Sequence, residues 1–142
     1  MRVEEELRMP REIEKRIRVQ LTRIEQIRGS LLPGGYDYER DKVQGGFPGD
    51  KYAQAMGRIS EIEERIKTLE EKKEWYENVR IPLLLDQVFD PEAKTVIYLY
   101  DVLSLPMNQT AEILYLSRAT AYRLRGKGLA DIREYKEKER CY

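Results

Sequence analysis

The sequence predicts an all-α protein. It would comprise a long antiparallel helical hairpin of coiled-coil type over residues 1–80, then a small helix-turn-helix domain over 82–142. Three observations lead there. Charged residues make up 37% of the 142 residues, and Glu, Lys, Arg, Leu and Ile dominate the composition, which favours helix. Apolar residues recur at steps of three and four over long stretches, the period of one helix face. No alternating strand pattern occurs.

The first helix is expected over residues 11–32. Ile13, Ile17, Leu21, Ile24, Ile27 and Leu31 make one stripe, and Met9-Pro10 supplies its start, since proline is tolerated in a first helical turn. Residues 29–49 break the pattern. They hold Gly29, Gly34, Gly35, Gly45, Gly46, Gly49, Pro33 and Pro48, and read as a long mobile loop and a candidate contact site. Asp50 is the expected N-cap of the next helix. Its stripe is Tyr52, Met56, Ile59, Ile62, Ile66, Leu69 and Tyr76. Some thirty residues at roughly 1.5 Å each give about 45 Å. Each helix is apolar on one side only, so the two stripes are expected to bury each other.

Ile81-Pro82 breaks or restarts the helix. Leu83-Leu84-Leu85 and Val88-Phe89 form a short apolar bridge. Asp90-Pro91-Glu92 then signals a start: a capping Asp, a Pro in first position, an acid in the first turn. The helix that follows holds Val96, Ile97, Leu99, Tyr100, Val102 and Leu103, and Ser104-Leu105-Pro106 ends it.

Residues 105–124 read as helix, tight turn, helix. The first helix runs from about Pro106 to Leu114. Ser117 caps the second, which begins at Arg118. Thr110, Leu114, Leu116, Ala121 and Leu124 would face inward, and the small Ala111 would let the helices cross closely.

Charge and rare residues narrow the function. The 26 Lys and Arg balance 26 Asp and Glu, which at first argues against a nucleic acid partner. Mapped along the chain, the balance is a cancellation. No acid lies between Glu112 and Asp131, while Arg118, Arg123, Arg125 and Lys127 do. There is no histidine and one cysteine, Cys141. That excludes Ser-His-Asp and Cys-His catalysis, His-ligated zinc and a thiolate cage. The carboxylates lie beside Lys and Arg at helical spacing, the pattern of a solvated face. The expectation is therefore a non-enzyme with no cofactor and no metal. The stretch Gly45-Gly46-Phe47-Pro48-Gly49-Asp50-Lys51 lacks the ending and the preceding strand of a phosphate loop. With no apolar leader and no membrane-length run, a cytoplasmic location without a membrane partner is expected.

The segment from Asp90 to about Tyr135 resembles region 4 of sigma-70-type transcription factors, which reads a promoter element. The matching features are Thr95 to Tyr100, the Ala111-Glu112-Ile113-Leu114 segment, and Leu116-Ser117-Arg118-Ala119-Thr120-Ala121. The whole layout is similar to small phage and prophage regulators of the ArpU/RinA-like group. That wider similarity adds Asp41 to Gly46, then Gly49-Asp50-Lys51 leading into Ala55, Ile59 and Ile62-Glu63. The chain departs from the pattern at Tyr115, where such turns usually carry glycine, and at Gly126 and Gly128, which interrupt the second helix.

The resemblance implies a DNA-binding transcriptional regulator, and the residues suit that use. Arg118, Thr120, Tyr122 and Arg123 would carry base preference, since Arg reads guanine bidentately in the major groove. Arg125 and Lys127 would contact phosphates. Asn108 and Gln109 would meet the backbone at the start of the first helix, with Ser117 at the start of the second. Double-stranded DNA is the expected partner, with RNA polymerase as a second candidate and a dimer favoured over a monomer. The alternative is a small terminase-like DNA-packaging recognition subunit. A ring of eight or more copies would mark that alternative, and a monomer or dimer the regulator.

Overall fold

The structure, a computed structural model, describes residues 1–31 and 48–141. Among them it is all helical: α1 (Val3–Ser30), α2 (Pro48–Trp75), α3 (Ile81–Leu85), α4 (Pro91–Ile97), α5 (Met107–Ile113) and α6 (Arg118–Arg140). Two five-residue π-helical segments, Tyr76–Arg80 and Tyr98–Val102, follow α2 and α4. No described helix is long and apolar enough to cross a membrane.

The described residues form two compact units, residues 12–72 and residues 1–11 with 73–142. This division differs from the expected boundary near residue 80. Val3, Leu7 and Met9 are buried, and Glu4 and Glu6 hold cations of α6. The first eleven residues thus belong with the C-terminal helices.

In the unit 12–72, α1 and α2 pair as a hairpin. Ile13, Ile17 and Ile24 are buried on α1, and Ala55, Ile59, Ile62 and Ile66 on α2. On α2 these positions alternate steps of four and three, and on α1 they are spaced four and seven, both the register of a coiled-coil seam. Three expected stripe residues fall outside it: Leu21, Tyr52 and Met56 are exposed. Half-buried Gln20 takes the place of Leu21, and buried Ala55 that of Met56. Each alternative is three or four residues from its neighbours in the stripe, so spacing alone admits both. Only the partner helix chooses.

Helix boundaries also shift. α1 begins at Val3, ahead of the expected start, with Glu4, Glu5 and Glu6 in its first turn, where acids suit the helix dipole. Pro10 therefore sits inside the helix, giving up one backbone hydrogen bond. Buried Val3, Leu7 and Ile13 on either side of it are the compensation. α2 begins at Pro48, so Asp50 lies in its first turn and is not its cap. Of the expected loop, Gly29 and Ser30 belong to α1, and residues 48 and 49 to α2. Residues 32–47 lie outside the described residues.

In the other unit, the expected break at Ile81-Pro82 takes the form of a π turn. Proline lacks an N–H and crowds the carbonyl four residues back. The helix widens over Tyr76–Arg80 just ahead of it, then resumes as α3. Asp90 caps α4 as expected, accepting from the Glu92 N–H at 2.9 Å. α4 lies close against α6. At Gly128 an added Cβ would sit 2.5 Å from Ile97 Cδ1 and 3.2 Å from Val88 Cγ1. Leu7, Leu84, Val96, Ile97, Ala121 and Ile132 fill the core between these helices. α6 runs unbroken through Gly126 and Gly128.

Candidate nucleic-acid interface

α5, a four-residue turn and α6 make the helix-turn-helix. The turn is a Schellman motif. Leu116 N–H donates to Ala111 O at 2.8 Å, and Tyr115 N–H to Glu112 O at 3.2 Å. Tyr115 carries φ of +57°, the left-handed conformation usual for glycine at this place. Its side chain is 96% exposed, so nothing buried repays the strain. Leu116 then leads into Ser117, whose Oγ accepts from Thr120 N–H at 3.1 Å. This is the expected cap. Inward positions agree with expectation: Thr110, Ala111, Ala121 and Leu124 are buried, and Leu114 and Leu116 half-buried.

The outward face of α6 presents Arg118, Tyr122, Arg123 and Lys127, all exposed. Ala119, Gly126 and Ala130 lie among them and are exposed too. Small residues at those positions lower the steric height of the face, so the helix axis can approach a flat or grooved partner. None of Arg118, Arg123 and Lys127 has a carboxylate within ion-pairing reach among the described residues. Asn108 and Gln109 are exposed in the first turn of α5. Thr120 is half-buried, its Oγ1 accepting from Ser117 Oγ at 2.8 Å.

Arg125 departs from the expected phosphate contact. Its Nε and Nη2 donate to the two oxygens of Asp101, each at 2.9 Å. Asp101 is fully buried. That hydrogen-bonded pairing pushes the Arg125 guanidinium above its ordinary value, outweighing burial. The Nε and Nη2 edge of the guanidinium is thus engaged by Asp101, which leaves its Nη1 side as the one open to a further acceptor. The group also lies 4.9 Å from the centre of the Tyr100 ring. Tyr100 meets Tyr122 edge-on at 6.3 Å, and Arg118 lies 6.0 Å from the Tyr122 ring. Two residues of the outward face are therefore backed by a buried ion pair. Composition and periodicity missed Asp101. The available signal was its position, a lone acid inside the apolar run from Val96 to Leu105.

A second ionic cluster joins the start of α1 to the end of α6. Arg80 Nε lies 3.1 Å from Glu6 Oε1, and Lys136 Nζ 2.6 Å from Glu6 Oε2. Arg80 also reaches Glu139 at 3.0 Å, and Arg133 reaches Glu4 at 2.6 Å. Burial alone would raise the Glu6 carboxyl, but Lys136 and Arg80 hold it below its ordinary value. These cations of α6 are consumed inside the fold. The free positive charge of α6 is concentrated in its first ten residues. No group of three or more carboxylates and thiols among the described residues is placed to hold a metal ion.

No protein family, curated protein or solved structure matches the chain.

Proposed function

We propose that the chain is a sequence-specific DNA-binding transcriptional regulator of phage or prophage type, reading duplex DNA through α5, its turn and α6. One observation carries this reading: the exposed face of α6 with Arg118, Tyr122, Arg123 and Lys127 around Ala119 and Gly126. The major groove, about 12 Å wide, admits one helix and offers guanine edges that Arg reads bidentately. Arg118, Tyr122 and Arg123 select bases, and Lys127 adds a phosphate contact. Asn108 and Gln109 meet the backbone at the start of α5. RNA polymerase and a second copy are the further partners of this reading, which places the protein in the cytoplasm.

The test is selection of bound sites from a random duplex pool, then titration of the selected site. Arg118→Ala with Arg123→Ala should weaken it by about ten- to a hundredfold per residue, from roughly 1–3 kcal/mol per bidentate contact. Far-ultraviolet dichroism should be unchanged. Selection of no preferred site, or equal affinity of the double variant, would overturn the reading.

A further inference from the structure

The hairpin of residues 12–72 has two unlike flanks. With the seam positions written a and d, the residue just before each a position is g. In an antiparallel pair the g residues of one helix face those of the other. On α1 these are Arg16, Arg23 and Ser30, and on α2 Arg58, Arg65 and Lys72. Arg23, Ser30, Arg58 and Arg65 do line one hollow of about 390 Å³, together with Gln26, Ile27, Glu61 and Ile62.

Every position of this flank but one is a cation, and none is an acid. The acids of the same helices fall elsewhere. Glu12 and Glu61 are at c, Glu14, Glu63 and Glu70 at e, and Glu64 and Glu71 at f. All five cations are exposed, and none has a carboxylate within ion-pairing reach among the described residues. Among the described residues, Glu61 is the only acid on the hollow's wall. Facing flank positions in a stable coiled coil usually carry opposite charges. Here like charges face each other, which costs the hairpin stability when no anion is present.

We propose that this flank is a second nucleic-acid surface, binding the phosphate backbone without reading bases. The cations recur each heptad, roughly 10 Å along the axis, in two facing rows. Gln26 adds an amide donor beside them, so the polar side chains of the described wall are mostly hydrogen-bond donors. That chemistry suits phosphate oxygens, and Arg is the side chain that pairs with them bidentately. The surface rests on the DNA-binding reading for the identity of its polyanion, and on the hairpin's own residues for its existence.

The experiment measures affinity of the full chain against salt, by anisotropy, on the selected site and on a random duplex of about thirty base pairs. Slope reports phosphates neutralised, at about 0.9 each. The triple variant R23A/R58A/R65A should lower the slope by about 2 to 3 on both duplexes. The ratio between the two affinities should stay unchanged. The variant R23K/R58K/R65K should keep most of the slope. An unchanged slope in R23A/R58A/R65A overturns the proposal. So does a change of its solution mass with the slope unchanged, which would make the flank a protein interface. The helix-turn-helix reading is scored separately. If R118A/R123A keeps the preference for the selected site while R23A/R58A/R65A loses the slope, that reading fails and the hairpin surface stands.

Discussion

Arg125 grips the fully buried carboxylate of Asp101 with two hydrogen bonds of 2.9 Å each. The pair ties α6 to the π-helical segment after α4. Removing one partner leaves the other charge buried and uncompensated, a loss of about 3–5 kcal/mol. Asp101→Ala should therefore move the urea midpoint far down. The double change Asp101→Leu with Arg125→Met should lose much less. Equal losses for the single and double changes would show that packing, and not charge, dominates there.

Tyr115 offers a gain in stability. Its φ of +57° holds a side chain that is 96% exposed. Tyr115→Gly keeps both Schellman hydrogen bonds and removes the left-handed strain, roughly 1–2 kcal/mol. Thermal unfolding should shift upward. A downward shift would mean that the tyrosine ring makes contacts that outweigh its strain.

The helical class and the cap-and-turn grammar were legible because they are local. Asp90 and Ser117 each announce a backbone geometry through their own chemistry, whereas the left-handed position at Tyr115 was marked only by the resemblance. The seam register was only partly legible. Gln20 and Leu21 both satisfy helical spacing, and hydropathy favours Leu21, yet the partner helix accepts Gln20. The assignment of residues 1–11 was missed for the same reason. Val3, Leu7 and Glu6 acquire their meaning from α6 and Arg80, more than seventy residues away in sequence. Arg125 shows the limit for the site. By sequence it goes with Lys127 as a phosphate contact, and only the buried Asp101 draws it inward.

Two glycines of α6 make a matched experiment. Gly126 has nothing within 4 Å of an added Cβ, whereas Gly128 faces Ile97 Cδ1 at 2.5 Å. Gly126→Ala should stabilise by roughly 0.5–1 kcal/mol through helix propensity. Gly128→Ala should destabilise, because the new methyl must displace Ile97 and Val88 from a packed core. Urea unfolding of both variants reads the difference. Stabilisation by both would mean that α4 and α6 can separate without loss.

Glu6 couples the fold to pH. Burial raises its carboxyl, but Lys136 and Arg80 more than offset that, and it lies below its ordinary value of 4.5. A carboxyl lowered in the folded state adds stability that is fully present above the unfolded value. That stability is lost as pH falls through the folded value. The Glu6 contribution should therefore hold from neutrality down to about pH 4.5 and fade below it. Glu4, lowered against its own burial by a backbone hydrogen bond and then by Arg133, has the same sign. Glu6→Gln should be the less stable protein at neutral pH, since Arg80 and Lys136 then share no charged partner. The gap to the unmodified chain should narrow on acidification below about pH 4.5. Urea midpoints of the two proteins, measured side by side across that range, test this. A gap that stays constant would place the stabilisation in the shape of the Glu6 side chain and not in its charge.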